Sequence, residues 1–198
     1  MLAAVILAAG ESRRMGEPKA LVDFRGRTFL QRLLDATNHP RIGVTRVVLG
    51  ARAEEIRAAL KLDPAIVVEN SNWQQGQLSS IQAAIRSLPA EQTEGMLLCP
   101  VDHPLISANV VATLIEQFDS TENQIILPTF HGRRGHPVIF RKNLYAELLA
   151  APPDVGARAV VWAHAPDVLE VPTEDQAVVL NLNDPEALRQ AREREDLT

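Results

Sequence analysis

Short apolar runs alternate with amphipathic stretches along most of the 198-residue chain. The runs Ala3–Ala8, Arg46–Gly50, Ala65–Glu69, Met96–Cys99, Gln124–Leu127, Pro137–Phe140 and Val168–Val171 read as strands. The stretches near Thr28–Asn38, Ala53–Lys61, Gln77–Leu88, Ser107–Phe118, Leu144–Ala150 and Pro185–Glu195 read as helices. Two helix starts carry chemical signals. Thr28 with Gln31 forms a capping box, each side chain satisfying the other's free backbone N–H. Asp184 before Pro185 places a capping carboxylate ahead of a proline at the first helical position. Ala3–Ala8 and Met96–Cys99 are apolar throughout, as expected of parallel strands covered on both faces. The alternation of strand and helix predicts an α/β protein, a three-layer α/β/α sandwich on a mostly parallel, Rossmann-like sheet. With no internal repeat and no long linker, residues 1–198 read as one domain. Arg133-Arg134-Gly135 and Ala151-Pro152-Pro153 read as insertions within it.

Composition narrows the function. A net charge of −5, with only five Phe, two Trp and one Tyr, argues against a phosphate-backbone binder or a stacking platform, so no nucleic acid partner is expected. The lone Cys99 excludes a disulfide framework and a Cys-rich metal site. The apolar run at the start has its cations, Arg13 and Arg14, behind it rather than before it, the wrong order for an export signal. It is also too short to cross a bilayer. The expectation is a cytoplasmic protein with no membrane partner.

In such sheets ligands lie beyond the carboxyl ends of the strands, which directs attention to the residues just after each apolar run. After the first comes Gly10-Glu11-Ser12-Arg13-Arg14-Met15-Gly16-Glu17-Pro18-Lys19. Two glycines, a serine and three cations suit a phosphate cradle of backbone N–H groups and long side chains. The Walker loop fails because Gly16 precedes Glu17-Pro18, and the dinucleotide fingerprint fails on glycine spacing. The plain alternative is a surface loop with solvated arginines. After Met96–Cys99 comes Asp102, where a carboxylate could hold Mg²⁺ against phosphates or merely form a turn before His103-Pro104. Gly76-Gln77-Leu78-Ser79-Ser80 opens a helix with free N–H groups and hydroxyls, which also fits ordinary capping by serine. Isolated histidines such as His103 and His136 are as a rule packed rather than catalytic, and Trp73 and Trp162 read as core or rim packing.

Leu7-Ala8-Ala9-Gly10-x-Ser12-x-Arg14-Met15-Gly16-x-x-Lys19 resembles the signature of the nucleotidyltransferases that activate cofactors and sugars with a nucleoside triphosphate. Within that superfamily the chain most resembles the molybdenum cofactor cytidylyltransferases. Gly76–Ile81, Pro100–Leu105, Gly135–Val138, Asp154–Arg158 and Asn181–Glu186 occur in the family's order, covering residues 3 to about 188. The resemblance implies the nucleotide-diphospho-sugar transferase type of fold, with CTP and molybdopterin as substrates and Mg²⁺ as cofactor. It implies a nucleotide site at Leu7, Ala8, Ala9, Gly10, Ser12, Arg14, Lys19, Gly76, Ser79 and Ser80, with Arg14, Lys19 and Asp102 catalytic. Asp102 and Asn183 would hold the metal, while His103, His136 and Arg158 would face the second substrate. It also implies a transient contact with a molybdenum hydroxylase.

Three departures matter. Asn181 and Asn183 stand where the family often has acids, leaving Asp102 as the sole carboxylate for the ion, with Asp184 read as a helix cap. Pro153 stands where glycine is usual. Ala9 stands where the related guanylyltransferases usually carry glycine, which favours CTP over GTP. The competing readings are a guanylyl or sugar/alditol-phosphate transferase on the same fold and a non-catalytic carrier of the cofactor.

Overall fold

The computed structural model describes residues 1–89 and 91–194. In chain order the strands and α-helices are β1 (Leu2–Ala8), β2 (Asp23–Phe24), β3 (Arg27–Thr28), α1 (Phe29–Ala36), β4 (Ile42–Leu49), α2 (Ala53–Leu60), β5 (Val67–Glu69), α3 (Gln77–Ser87), β6 (Gly95–Pro100) and α4 (Ala108–Ser120). Then come β7 (Ile125–Phe130), β8 (Arg133–Arg134), β9 (Val138–Arg141), α5 (Tyr145–Ala150), α6 (Arg158–Ala163), β10 (Val168–Pro172) and α7 (Pro185–Glu193). The main sheet has the order β10-β7-β9-β6-β1-β4-β5, with β8 paired to β7. β1 runs parallel to β4 and β6, while β9 is antiparallel to both β6 and β7. No helix of the described residues is long and apolar enough to cross a membrane.

The three layers result from side-chain alternation in β1. Leu2, Ile6 and Ala8 pack into one core with Phe29, Leu30 and Leu33 of α1, Val111 and Leu114 of α4, and Leu188 of α7. Ala3, Val5 and Leu7 pack into the opposite core with Leu78, Ile81 and Ile85 of α3 and Leu148 of α5. Cys99 lies fully buried in the first core, and burial pushes its thiol pKa up, so it is a packing residue rather than a nucleophile.

The predicted capping box of α1 is present: Thr28 Oγ1 accepts from Gln31 N (3.3 Å) and Gln31 Oε1 accepts from Thr28 N (3.0 Å). Asp184 caps α7 through Ala187 N at 2.9 Å. β4 starts four residues before the predicted Arg46, because its first half is only partly covered and shows no apolar run. Ala65 and Ile66 belong to a 3-10 turn, set up by Pro64 and by Asp63 accepting from Ala65 N, so β5 starts at Val67. The predicted end of the last helix, Glu195, lies outside the described residues. The hairpin β2–β3, helix α6 and the two-residue β8 have no counterpart among the predicted elements. Arg133-Arg134, read as an insertion, forms β8 and pairs back on Thr129 and Phe130.

Candidate functional site

β1, β4 and β6 end side by side, and the loops after them bond to one another there. Val101 N donates to Leu7 O (3.0 Å), Ala51 N to Ala9 O (3.0 Å) and Leu182 N to Asp102 O (2.8 Å). The last of these straps the segment before α7 across the end of β6. The loop after β1 is folded on Ser12, which has φ +59°, accepts from Met15 N through its carbonyl (2.9 Å) and accepts from Lys19 N through Oγ (3.0 Å). Ser12 therefore shapes the loop. Arg13 pairs with Glu11 and stays largely in solvent. Arg14 is exposed, yet near enough for its charge to act on Lys19.

Lys19 turns inward. Its ammonium donates to Asn183 Oδ1 and lies 3.8 Å from Asp102 Oδ2, with its side chain 15% exposed. Burial lowers its pKa below the ordinary lysine value, and the Arg14 charge adds to this; Asp102 and Asp184 oppose both. Asn181 Nδ2 donates to the same Asp102 oxygen at 3.0 Å. Thus Asp102 and Asn183 converge on one cation, the lysine's own. The two asparagines have distinct tasks: Asn183 faces the cation and Asn181 orients the carboxylate.

A cavity of about 360 Å³ opens above this group, lined by Leu7, Ala9, Gly10, Ser12, Lys19 and Asp102 on the strand side and by Trp73, Gly76, Gln77 and Ser80 opposite. Among the residues expected to hold nucleotide, Ala8, Arg14 and Ser79 are not part of this lining. Ser79 is turned inward, its Oγ donating to Gly76 O (2.8 Å) or Asn72 O (3.0 Å). Neither serine caps α3: the N-cap is Gly76, whose φ of +95° lies in the region that favours glycine. Trp73 forms cleft wall. Trp162 departs from its packing assignment: it is 62% exposed on α6.

A second cavity, about 420 Å³, shares Gln77 with the first. Its floor is apolar, from Leu78, Ile81, Leu98, Val138 and Phe140, and its rim carries Arg134, His136, Asp154 and Arg158. Two of the three residues assigned to the second substrate, His136 and Arg158, therefore line one pocket. His103 lines neither cavity; it is buried with its ring centroid 4.6 Å from that of His136. The Nδ1 atoms of both rings are buried without a hydrogen-bond partner. Burial lowers both histidine pKa values, that of His136 to about 4, so both rings are neutral at pH 7. Sequence reasoning missed Asn70, Gln77, Arg134 and the separate role of Asn181. Asn70 and Arg134 stand outside the stretches that resemble a family, while Gln77 and Asn181 stand within them without a distinguishing signal.

A family model described as "MobA-like NTP transferase domain" matches residues 4–168. Nicotine blue oxidoreductase of Paenarthrobacter nicotinovorans is 31% identical over 169 residues, 78% of each chain. Molybdenum cofactor cytidylyltransferase of Escherichia coli K12 is 26% identical over 193 residues, 96% of this chain and 95% of the relative. Among solved structures, Rv0371c from Mycobacterium tuberculosis H37Rv is 27% identical and superposes with a TM-score of 0.83 over 98% of both chains. A second structure of Rv0371c is a complex with manganese, 26% identical with a TM-score of 0.76 over 96% of both chains.

Proposed function

The chain belongs to the MobA-like NTP transferase family, and from that premise we propose that it transfers CMP from CTP to the terminal phosphate of molybdopterin and releases pyrophosphate. One observation carries the reading: Lys19 and Asp102 line a cleft beyond the carboxyl ends of β1 and β6, and the Lys19 ammonium meets both Asp102 and Asn183. A carrier that only held the finished cofactor would need no such group.

In this reaction an oxygen of the acceptor phosphate forms a bond to the α-phosphorus, and the bond from that phosphorus to the bridging oxygen breaks in line. The nucleophile is already an anion, so no general base is needed. What remains for the chain is positioning and charge stabilisation. Loop N–H groups after Gly10 and the Lys19 ammonium hold the β- and γ-phosphates, and exposed Arg14 closes over them. Gln77, on the wall shared by the two cavities, stands between nucleotide and acceptor. Arg158 and Arg134 on the rim of the second cavity draw the acceptor's phosphate toward the first.

The donor set suits Mg²⁺ only with substrate present. Asp102 supplies one carboxylate and Asn183 one neutral oxygen, and the described residues hold no cluster of three acidic, histidine or cysteine ligands. Asp102 and Asn183 would hold the ion once nucleotide is bound, and it would supply charge stabilisation to the transfer. The manganese complex of Rv0371c supports a divalent ion in this family.

The test is pyrophosphate release from each nucleoside triphosphate, with and without molybdopterin. Release with CTP that requires molybdopterin is the expected result, and GTP is used ~10–200-fold less well, the range a single methyl difference such as Ala9 for glycine allows. Equal use of GTP overturns the CTP assignment. No release with any triphosphate, alongside redox turnover, overturns transfer in favour of the chemistry named for the Paenarthrobacter relative.

A further inference from the structure

The first turn of α3 carries two adjacent serines, of which Ser80 lines the cleft and Ser79 turns inward, and one residue bonds to both. Asn70, 5% exposed, lies just after β5 and is pinned by its backbone: Asn70 N donates to Leu49 O at 2.7 Å. Its Oδ1 accepts from Asn72 N at 2.9 Å. A backbone N–H can only donate, so this contact fixes which end of the amide is oxygen. The NH₂ end must face the serines, and Nδ2 lies 2.8 Å from Ser79 Oγ and 3.0 Å from Ser80 Oγ.

Each amide hydrogen therefore occupies one hydroxyl lone pair, and each serine still has its own proton to place. The Ser79 proton goes to Gly76 O or Asn72 O. The Ser80 hydroxyl has no acceptor among the described residues, and Ser80 lines the cleft. Its proton therefore faces the cleft, available to an acceptor on a bound ligand.

We propose that Asn70 is a positioning residue that polarises Ser80, so that the cleft offers the nucleoside a hydrogen-bond donor at this point and selects an acceptor oxygen on the base or ribose. A ligand presenting an amino group there finds one of the two hydroxyl lone pairs already taken by Asn70 and is disfavoured. The proposal rests on reading the cleft as the nucleotide site, and it adds the sense of one contact together with the residue that sets that sense. Asn70→Asp is nearly isosteric and reverses the sense. A carboxylate cannot donate, so both serines turn their protons toward it and Ser80 shows the cleft a lone pair.

The experiment is calorimetric titration of CTP, with inorganic triphosphate as the control probe, into wild type, Ser80→Ala, Asn70→Asp and the double variant. Triphosphate reports folding of the loop and any effect of the added charge. Relative to triphosphate, Ser80→Ala weakens CTP about three- to tenfold, the worth of one neutral hydrogen bond. Asn70→Asp produces at least that loss, and adding it to Ser80→Ala produces no more. Repeating the series with 2′-deoxy- and 2′,3′-dideoxy-CTP locates the acceptor. A Ser80→Ala penalty that persists places it on the base, and one that vanishes places it on the ribose. Asn70→Asp with wild-type CTP affinity, or losses that multiply in the double variant, overturns the proposal. If Asn70→Asp does not fold, undiminished CTP affinity in Ser80→Ala alone overturns it. A wild-type chain that binds neither CTP nor triphosphate instead overturns the nucleotide reading on which the proposal stands.

Discussion

Lys19 is a half-buried cation held by one carboxylate and one amide oxygen, and this arrangement sets the order in which charges can enter the cleft. While the ammonium lies on Asp102 and Asn183, a divalent ion would share two ligands with a like charge. A triphosphate offers Lys19 stronger partners and brings oxygens of its own for the ion. Mg²⁺ or Mn²⁺ therefore binds weakly to the free protein and at least ~10²-fold more tightly with CTP present. Micromolar Mg²⁺ affinity in calorimetry without nucleotide would contradict this and point to Asp184 as a second acid. Asp102→Asn removes the single carboxylate and nearly all turnover, whereas Asn183→Ala raises the Mg²⁺ concentration needed for half-maximal rate. Lys19→Ala and Arg14→Ala each lower turnover ~10²–10³-fold, the scale of one lost transition-state contact, with the circular dichroism spectrum unchanged. Near-normal turnover in either folded variant removes that residue from the phosphate site.

At the scale of elements, the far wall of the cleft depends on how closely the turn before α3 approaches the end of β4. A Cβ built on Gly50 would fall 2.6 Å from Trp73 Cβ and 2.7 Å from Ala9 O, so only glycine lets the Trp73 turn lie against the strand. Gly50→Ala pushes that turn outward. Overpacking of this kind costs about 1–3 kcal/mol, and CTP affinity falls together with the urea midpoint. Wild-type values for both would show that the wall yields without cost. This junction also shows what the sequence could and could not reveal. Helix starts were legible at Thr28-x-x-Gln31 and Asp184-Pro185, where local side chains meet local N–H groups. The buried strands β1 and β6 were legible because both their faces are apolar. The antiparallel direction of β9 was not, since an apolar run carries no direction. Candidate residues near the ends of β1 and β6 could be named because they sit in contiguous stretches. Asn70 and Arg134 could not, since their contacts with Ser80 and Glu170 join positions that no local spacing links.

Across the whole molecule, acid stability separates into two windows belonging to opposite ends of the sheet. His136 sits beyond the carboxyl ends of the strands, its backbone N–H donating to Val178 O (2.8 Å), with His103 against its ring and the Asp102 charge nearby. Burial holds its pKa at about 4 against 6.5 when free. Between those values the unfolded chain binds a proton that the folded chain refuses, so stability falls as pH drops from 6.5 to 4. The loss is on the order of 3 kcal/mol for a shift of this size. At the opposite end Glu94 accepts hydrogen bonds from Arg41 and the Met1 ammonium, which hold its carboxyl down at about 2 against 4.5. Here the folded chain releases its proton more readily, so the stabilisation is complete above 4.5 and disappears as pH falls toward 2. Glu94 is exposed and Arg41 partly so, and salt screens the contribution of this pair while leaving that of buried His136 nearly unchanged. Melting temperature against pH should therefore bend twice. His136→Asn should make the limb below pH 6.5 shallower, with buried His103 keeping its own share, and leave the lower limb in place. Raised salt should flatten the lower limb alone. A His136→Asn curve parallel to wild type down to pH 4 would mean that the ring takes up its proton in the folded state, and that the rim of the second cavity is wetter than its apolar floor indicates.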